Sequence, residues 1–427
     1  MNLKVIVERE GRDVVAGNIR GNDSADAYFT YTEDYLSNVN AHPVSVSLPL
    51  QQESFSPQQT RNYFEGLLPE GFLKMTLAQN MRTDENNYIA ILKGLGKECL
   101  GAVTILPEGE EEELPRYEGL SLQQIRELAE EGAGKSVQLV TKAHLSLAGA
   151  SGKVGLYYNP DEMKWYLPMG KAPSTHIVKQ SHVRLDSIVT NERLSLLTAQ
   201  LAGIETPESH IINTGSGAEK EILFATKRYD RLLDPETDML ISGLPVPMRL
   251  HQEDFGQAMG IAPSRKYESV GEEYMQQMFA IIRAHSANPV EDQIKLWKII
   301  VFDYLIGNTD NHIKNYSLVY GPDLRKIRLA PAYDVISTVI YESSTREMAF
   351  NIGGEIDIDA IGREEFRRAA AKCSLGEKIA MKQFDELYHK FDACLSEAAG
   401  ILAGQGFGKA TELADRIRRN ASAKLRS

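Results

Sequence analysis

Leu3, Val5 and Val7 alternate with more polar neighbours, and Glu10-Gly11 then offers a turn, so the chain is expected to open with a strand and a hairpin. Strand-like patterning returns between Leu145 and Lys179. It covers Val154 to Tyr158, a turn at Asn159-Pro160-Asp161, Lys164 to Leu167, and His176 to Lys179. After Thr190-Asn191 the period changes, with Leu194, Leu197 and Leu201 on one helical face, and from about residue 250 helices dominate. The clearest helix has Asn288 as N-cap, Pro289 in its first position and Glu291 and Asp292 in its first turn. Ile294, Trp297, Val301 and Tyr304 form its expected buried stripe, and Gly307 ends it. A strand-rich part followed by a helix-rich part predicts an α+β fold with a cleft between the two.

Composition narrows the class. A chain of 427 residues predicts two or three domains, and 42% apolar with 25% charged residues excludes a disordered or fibrous protein. The net charge of −12 argues against binding nucleic acid or anionic membrane across the whole surface. Three scattered cysteines, Cys99, Cys373 and Cys394, give neither a disulfide framework nor a zinc site and indicate a reducing compartment. The histidines at 42, 144, 176, 182, 210, 251, 285 and 389 show no metal-ligand spacing. No apolar leader and no membrane-length apolar run is present, so a soluble cytoplasmic protein is expected. The acidic run between Pro107 and Pro115 reads as a linker or exposed loop, and Ser121 to Gln124 has capping-box spacing, which puts a domain boundary near 107–135.

Four segments carry chemistry. Ser146-Leu-Ala-Gly-Ala-Ser-Gly-Lys153 is built of small residues, which let a backbone approach phosphates; it is no P-loop, because Leu147 and Val154 stand where Gly and Ser or Thr would be needed. Lys179 closes an apolar strand, where an ammonium can pair with ATP phosphates, and Glu192 in the following helix is a candidate to hold it. Asp310 and Asn315 have the Asp-x4-Asn spacing of a kinase catalytic loop, directly after the buried helix. From Asn315 the chain reads strand (Tyr316 to Tyr320), turn (Gly321-Pro-Asp), strand (Lys326 to Ala330). Such a hairpin must return Asp334 to the side of Asn315, making two oxygen ligands for Mg²⁺. Small-residue loop, lysine, base and metal ligands follow one another in the order of a protein kinase.

The motifs Ser146-Leu-Ala-Gly-Ala-x-x-Lys153, Thr175-His-Ile-Val-Lys179, Lys227-Arg-Tyr-Asp-Arg231, His251-Gln-Glu-Asp254, Lys266-Tyr-Glu268, Thr309-Asp-x-His-x-Lys-Asn315 and Pro331-x-Tyr-Asp334 resemble the HipA serine/threonine-kinase toxins. Val46-Ser-Leu-Pro-Leu50, Leu67-Leu-Pro69 and Gly101-Ala-Val-Thr104 extend the likeness over nearly the whole chain. The resemblance implies a protein-kinase-like two-lobed fold with a β-rich N-terminal domain (1–118), an N-lobe-like part with phosphate loop and ATP lysine (137–235) and a mostly helical C-terminal lobe (245–427). It implies the toxin of a bacterial type II toxin–antitoxin system, neutralised by a helix-turn-helix antitoxin whose complex binds operator DNA. ATP and Mg²⁺ are the implied cofactors, and aminoacyl-tRNA synthetases the implied kind of substrate, whose loss halts translation and favours dormancy.

Carried onto matching positions, Asp310 is the catalytic base, and Asn315 and Asp334 hold Mg²⁺. Lys179 contacts ATP phosphates, and Ala148, Gly149, Ala150, Ser151, Gly152 and Lys153 form the phosphate loop. Lys227, Arg228 and Tyr229 are the hinge strand that meets adenine through its backbone; Lys227 departs from the Glu of better-known members. His312 and Lys314 belong to the nucleotide-contacting loop, and Ser146 is the site of inhibitory autophosphorylation. Two rival readings keep part of this picture: a kinase-fold enzyme for a small-molecule acceptor, and a non-catalytic module that binds ATP, antitoxin or DNA. The basic C-terminal segment from Asp415 to Ser427 is either a solvated helix end or a contact to antitoxin or DNA.

Overall fold

The computed structural model describes residues 1–109, 113–131, 133–143, 152–181 and 185–421. The chain divides into two compact units: unit 1 comprises Met1–Gln180, Ala225–Pro263 and Leu318–Ile327, and unit 2 comprises Ser181–Phe224, Ser264–Ser317 and Arg328–Ser427.

Unit 1 opens as the alternation requires. β1 (Asn2–Arg9) and β2 (Arg12–Arg20) form a hairpin whose turn residues Glu10 and Gly11 both take left-handed φ, 51° and 73°. Left-handed geometry at both central residues matches the strand twist. β3 (Tyr28–Tyr31) and β4 (Val103–Pro107) complete an antiparallel sheet in the order β3–β2–β1–β4. Leu3, Val5 and Val7 are buried, and Phe29 packs among Tyr31, Phe64 and Phe55 with ring centroids 4.8, 5.2 and 5.9 Å away.

A second sheet is made by β5 (Arg116–Gly119), β6 (Lys153–Asn159), β7 (Lys164–Met169) and β8 (His176–Gln180), in the order β5–β7–β6–β8. β5 begins directly after the acidic run expected as a linker, inside the 107–135 boundary region. β5 pairs with β7 along Arg116 to Gly119, and Tyr117 enters a core with Tyr157, Ala172 and Leu244. A boundary at 118 runs through this strand, and the three expected stretches do not map one to one onto the two units. β9 (Ser209–Asn213) lies in unit 2, and β10 (Ile222–Lys227) carries the chain from unit 2 into unit 1.

Unit 2 is helical. Its central helix, Pro289–Ile306, is buried more widely than one stripe, because Leu296, Ile299, Ile300, Phe302 and Leu305 are buried with Trp297, Val301 and Tyr304, while Ile294 is only partly so. Trp297 is wholly buried with its indole N–H donating to Ala380 O at 2.9 Å, so its polar tip is satisfied. Around it pack helices Tyr274–His285, Arg363–Lys372 and Glu377–Gly404. In the basic C-terminal helix Lys409–Ala421, Arg416 donates to Ile340 O at 2.6 Å, and Arg418 pairs with Asp392 and Asp415 at 2.6 and 2.7 Å. These two arginines are engaged inside the protein; residues 422–427 lie outside the described part. Among the described residues no helix is long and apolar enough to cross a membrane.

Candidate active site

The central helix delivers the chain into the loop Gly307 to Asn315 in unit 2. Gly307 adopts φ 78°, which closes the helix, and a Cβ there would lie 2.3 Å from Val339 Cγ2. One turn earlier, the fully buried Asp303 anchors the loop. Its carboxylate accepts from Asn308 Nδ2 at 2.9 Å and from the Tyr316 hydroxyl at 2.8 Å, and its carbonyl accepts from the Gly307 and Asn308 N–H groups at 3.1 and 2.8 Å. Asn311 Nδ2 donates to the same Tyr316 oxygen at 3.1 Å. Burial pushes the Asp303 carboxyl up to about 7 against these donors.

Asp310 stands exposed on this anchored loop. Its carbonyl accepts from His312 N–H at 2.9 Å and from Asn315 Nδ2 at 2.8 Å. The Asn315 amide nitrogen is thereby committed, and its amide oxygen is the hard donor that can serve a cation. The hairpin argument holds at its ends: Ala330 N–H donates to Ser317 O at 2.9 Å, and the Tyr333 hydroxyl donates to Lys314 O at 3.0 Å. The residue before Asp334 is thus bonded to the residue before Asn315. Asp334 itself is held at φ 57°, a left-handed conformation that costs about 1 kcal/mol or more for an aspartate and persists only where neighbours impose it.

The residues that follow Asp334 are tied to distant parts of the chain. The Ser337 hydroxyl donates to Ile306 O at 2.6 Å, Thr338 N–H donates to Gly307 O at 2.9 Å, and Thr309 N–H donates to the Thr338 hydroxyl at 2.7 Å. Asn191, on the helix Ile188–Leu201, brackets Ser337 by accepting its N–H at 3.1 Å and donating to its carbonyl at 2.9 Å. A carboxylate and an amide oxygen suit Mg²⁺, which keeps waters and substrate phosphates as its other ligands. His312 and Lys314, two and four residues after Asp310, are both buried, and the His312 ring meets Tyr267 edge-on at 5.4 Å.

In unit 1, Lys153 and Lys179 are direct cross-strand partners of the antiparallel pair β6 and β8. Their side chains therefore leave one face of the sheet, each residue only 9% exposed. Gly152 immediately precedes β6, whereas Ser146, Ala148, Gly149, Ala150 and Ser151 lie outside the described residues. Glu192 is buried on the helix Ile188–Leu201 of unit 2, and Lys179 is the last residue but one of β8 in unit 1.

The structure narrows the part Arg228 can take in the expected hinge. Lys227 is exposed at the end of β10, and the Tyr229 hydroxyl bonds Gln252 Oε1. Arg228, in contrast, is buried, and its N–H donates to Thr175 O at 2.9 Å. Its guanidinium grips Asp230 at 2.9 and 2.7 Å and Glu98 at 2.9 Å. Neither its N–H nor its side chain is available to adenine.

The profile of the HipA N-terminal domain matches residues 11–106, and that of the HipA-like C-terminal domain matches residues 145–395. The chain belongs to the HipA family. It is 33% identical over 398 residues to Y4mE of Sinorhizobium fredii, a protein named as a kinase, covering 91% of this chain and 90% of that one. The serine/threonine-protein kinase toxin HipA of Shewanella oneidensis is 25% identical over 361 residues, 82% of this chain and 79% of its own. In a solved complex of Shewanella oneidensis MR-1 HipA with HipB and operator DNA, a chain matches at TM-score 0.76 and 22% identity, over 98% of this chain and 97% of its own. The fold is thus the HipA kinase-like fold.

Several HipA motifs prove to be architecture of unit 1. Arg228, Asp230 and Arg231 meet Glu98 in a buried ion cluster, with Arg231 at 2.7 Å from Glu98 and 2.9 Å from Asp230. Asp230 also accepts the Gly101 N–H at 2.8 Å, joining the Gly101–Thr104 motif to the Lys227–Arg231 motif. Burial alone would raise the Glu98 and Asp230 carboxyls, but the arginines outweigh it and hold both below the usual carboxylate range. In the His251–Asp254 motif, His251 Nε2 bonds Val44 O at 2.8 Å and Glu253 accepts from Val46 N–H at 2.9 Å and from the Ser45 and Tyr320 hydroxyls. The charge pattern of these motifs gave no sign of burial. Asp303, Asn191 and Tyr267 were given no role; an aspartate within the apolar last two turns of the helix and the Lys266-Tyr-Glu268 motif were the available signals.

Proposed function

We propose that this HipA protein is an ATP- and Mg²⁺-dependent serine/threonine protein kinase acting as the toxin of a bacterial type II toxin–antitoxin system. The observation that carries the reading is the loop in which Asp310 and Asn315 are bonded to each other and the chain before Asp334 is tied to the chain before Asn315. Asp310 acts as the base that takes the acceptor hydroxyl's proton as the γ-phosphoryl group transfers. Asn315 and Asp334 would hold Mg²⁺, which when bound neutralises charge on the phosphates. From the family resemblance, Lys179, Lys153 and Gly152 with the residues before it are the proposed phosphate contacts, and Lys227 and Tyr229 the proposed adenine contacts; Lys153 and Lys179 share one sheet face. Lys314 offsets charge on the transferring group.

The toxin role draws support from the Shewanella relative named as a kinase toxin and from the solved HipA–HipB–operator complex. By that likeness this chain would take a helix-turn-helix antitoxin, and its own charge of −12 assigns most DNA contact to that partner. A translation component such as an aminoacyl-tRNA synthetase is the proposed substrate, and Ser146 the proposed autophosphorylation site. A phosphate there adds about −1.5 to −2 charge beside the residues meant for ATP's own phosphates, which limits the enzyme. The test is incubation with labelled Mg²⁺–ATP and a bacterial lysate, followed by phosphosite mapping. Label on Ser146 and on one lysate protein, abolished by chelation of Mg²⁺, is expected. Label confined to a small metabolite, or ATP bound with no transfer, would overturn the protein-kinase reading.

A further inference from the structure

Tyr267 lies 43 residues before Asp310 in sequence, yet its hydroxyl donates to Asp310 Oδ1. The residue is 47% exposed, so burial of its ring does not explain its place. The ring is set from both sides, with His312 edge-on at 5.4 Å and the Lys266 ammonium 5.5 Å from its centroid. The backbone around it is pinned as well. Arg265 O accepts the Tyr274 hydroxyl at 2.8 Å, and Glu268 N–H donates to Ala349 O at 2.8 Å. The Glu268 carboxylate accepts Asn351 N–H at 3.0 Å and its side-chain amide. The helix Tyr274–His285 and the strand Glu347–Ile352 thus fix the chain on either side of a phenol directed at the base.

We propose that Tyr267 is a positioning residue of phosphotransfer, fixing the Asp310 carboxylate through Oδ1 so that Oδ2 takes the acceptor's proton. This rests on the reading of Asp310 as the base. In the step, the acceptor hydroxyl's proton passes to Oδ2 and its oxygen bonds to the γ-phosphorus. The bond from that phosphorus to the β–γ bridging oxygen breaks, and its electron pair leaves with ADP. A carboxylate free to rotate would spend most of its time misaligned, and misplacement of a reacting group on this scale lowers the rate by about 10- to 100-fold.

The experiment is a double-mutant cycle of Tyr267→Phe, which keeps the ring and removes only the hydroxyl, with Asp310→Ala, read as label transfer from Mg²⁺–ATP to protein. Tyr267→Phe is expected to lower kcat by about 10- to 100-fold with KM for ATP unchanged, and to have no further effect in the Asp310→Ala background. A kcat at or above wild type, or an effect that persists without Asp310, overturns the proposal. Transfer by Asp310→Ala at the wild-type rate would instead remove the base reading itself. Crystal structures of the nucleotide-free wild type and Tyr267→Phe give a readout besides activity. The variant is expected to show the Asp310 carboxylate turned or in several rotamers; one unchanged rotamer overturns the proposal.

Discussion

Asp303 is a carboxyl group buried in the apolar end of the central helix, and its partners explain it. It ties the end of that helix to Asn308 and Tyr316, and through the Tyr316 hydroxyl to Asn311, and so fixes both ends of the loop that carries Asp310. Its pKa stands at about 7 against an ordinary 3.8. Between those values the native state keeps a proton that the unfolded state has lost. The stability due to this group is therefore full below about pH 4 and falls away as pH rises through about 7, by up to about 4 kcal/mol. Glu253 and Glu268, also pushed up to about 7 by burial, add the same trend but are common to wild type and variant. Asp303→Asn removes only one share. Urea midpoints at pH 5, 6, 7 and 8 are expected to move in the variant's favour as pH rises; parallel curves would contradict the assignment. Sequence showed Asp310, Asn315 and Asp334 because spacing and a short hairpin fix them. It did not show Asp303 or Tyr267, whose meaning lies in contacts that no local pattern encodes.

At the scale of elements, periodicity was the reliable guide. The hairpin at Glu10-Gly11, strands β6 to β8 and the central helix with its glycine stop all follow from side-chain alternation and from residues that tolerate left-handed φ. Gly307→Ala places a side chain both in that conformation and against Val339, so a loss of about 1–3 kcal/mol is expected, with reduced phosphotransfer because the catalytic loop starts there. Wild-type thermal stability in that variant would contradict the account. The structural part of the charged motif Lys227-Arg-Tyr-Asp-Arg231 was not legible in the sequence for a physical reason. Charged residues usually face water or a ligand, and nothing local reveals that Glu98, distant in sequence, waits to neutralise them. Glu98→Ala leaves two buried arginines, Arg228 and Arg231, sharing the single carboxylate of Asp230, and chemical denaturation is expected to show a loss of about 3–5 kcal/mol. A loss below about 1 kcal/mol would mean that the cluster reorganises.

In the whole molecule, each unit is assembled from three separate stretches of chain. Residues 1–180 contain Glu98 and Ser45 but lack Arg228, Asp230, Arg231 and Glu253, which complete their buried networks. That fragment is expected to aggregate or remain unfolded by circular dichroism, and a cooperative, native-like transition would contradict this. The composition shift near residue 110 falls between the two matched family domains, residues 11–106 and 145–395, while compact unit 1 runs across it. The central claim remains that Asp310 is the base of a phosphotransferase. Its most direct test is the rate of γ-phosphate transfer from Mg²⁺–ATP to protein in wild type and Asp310→Ala, with unfolding curves recorded for both. Because Asp310 is exposed, the account predicts equal stability within about 0.5 kcal/mol and transfer lowered by at least about 100-fold. Equal rates in the two proteins would contradict it.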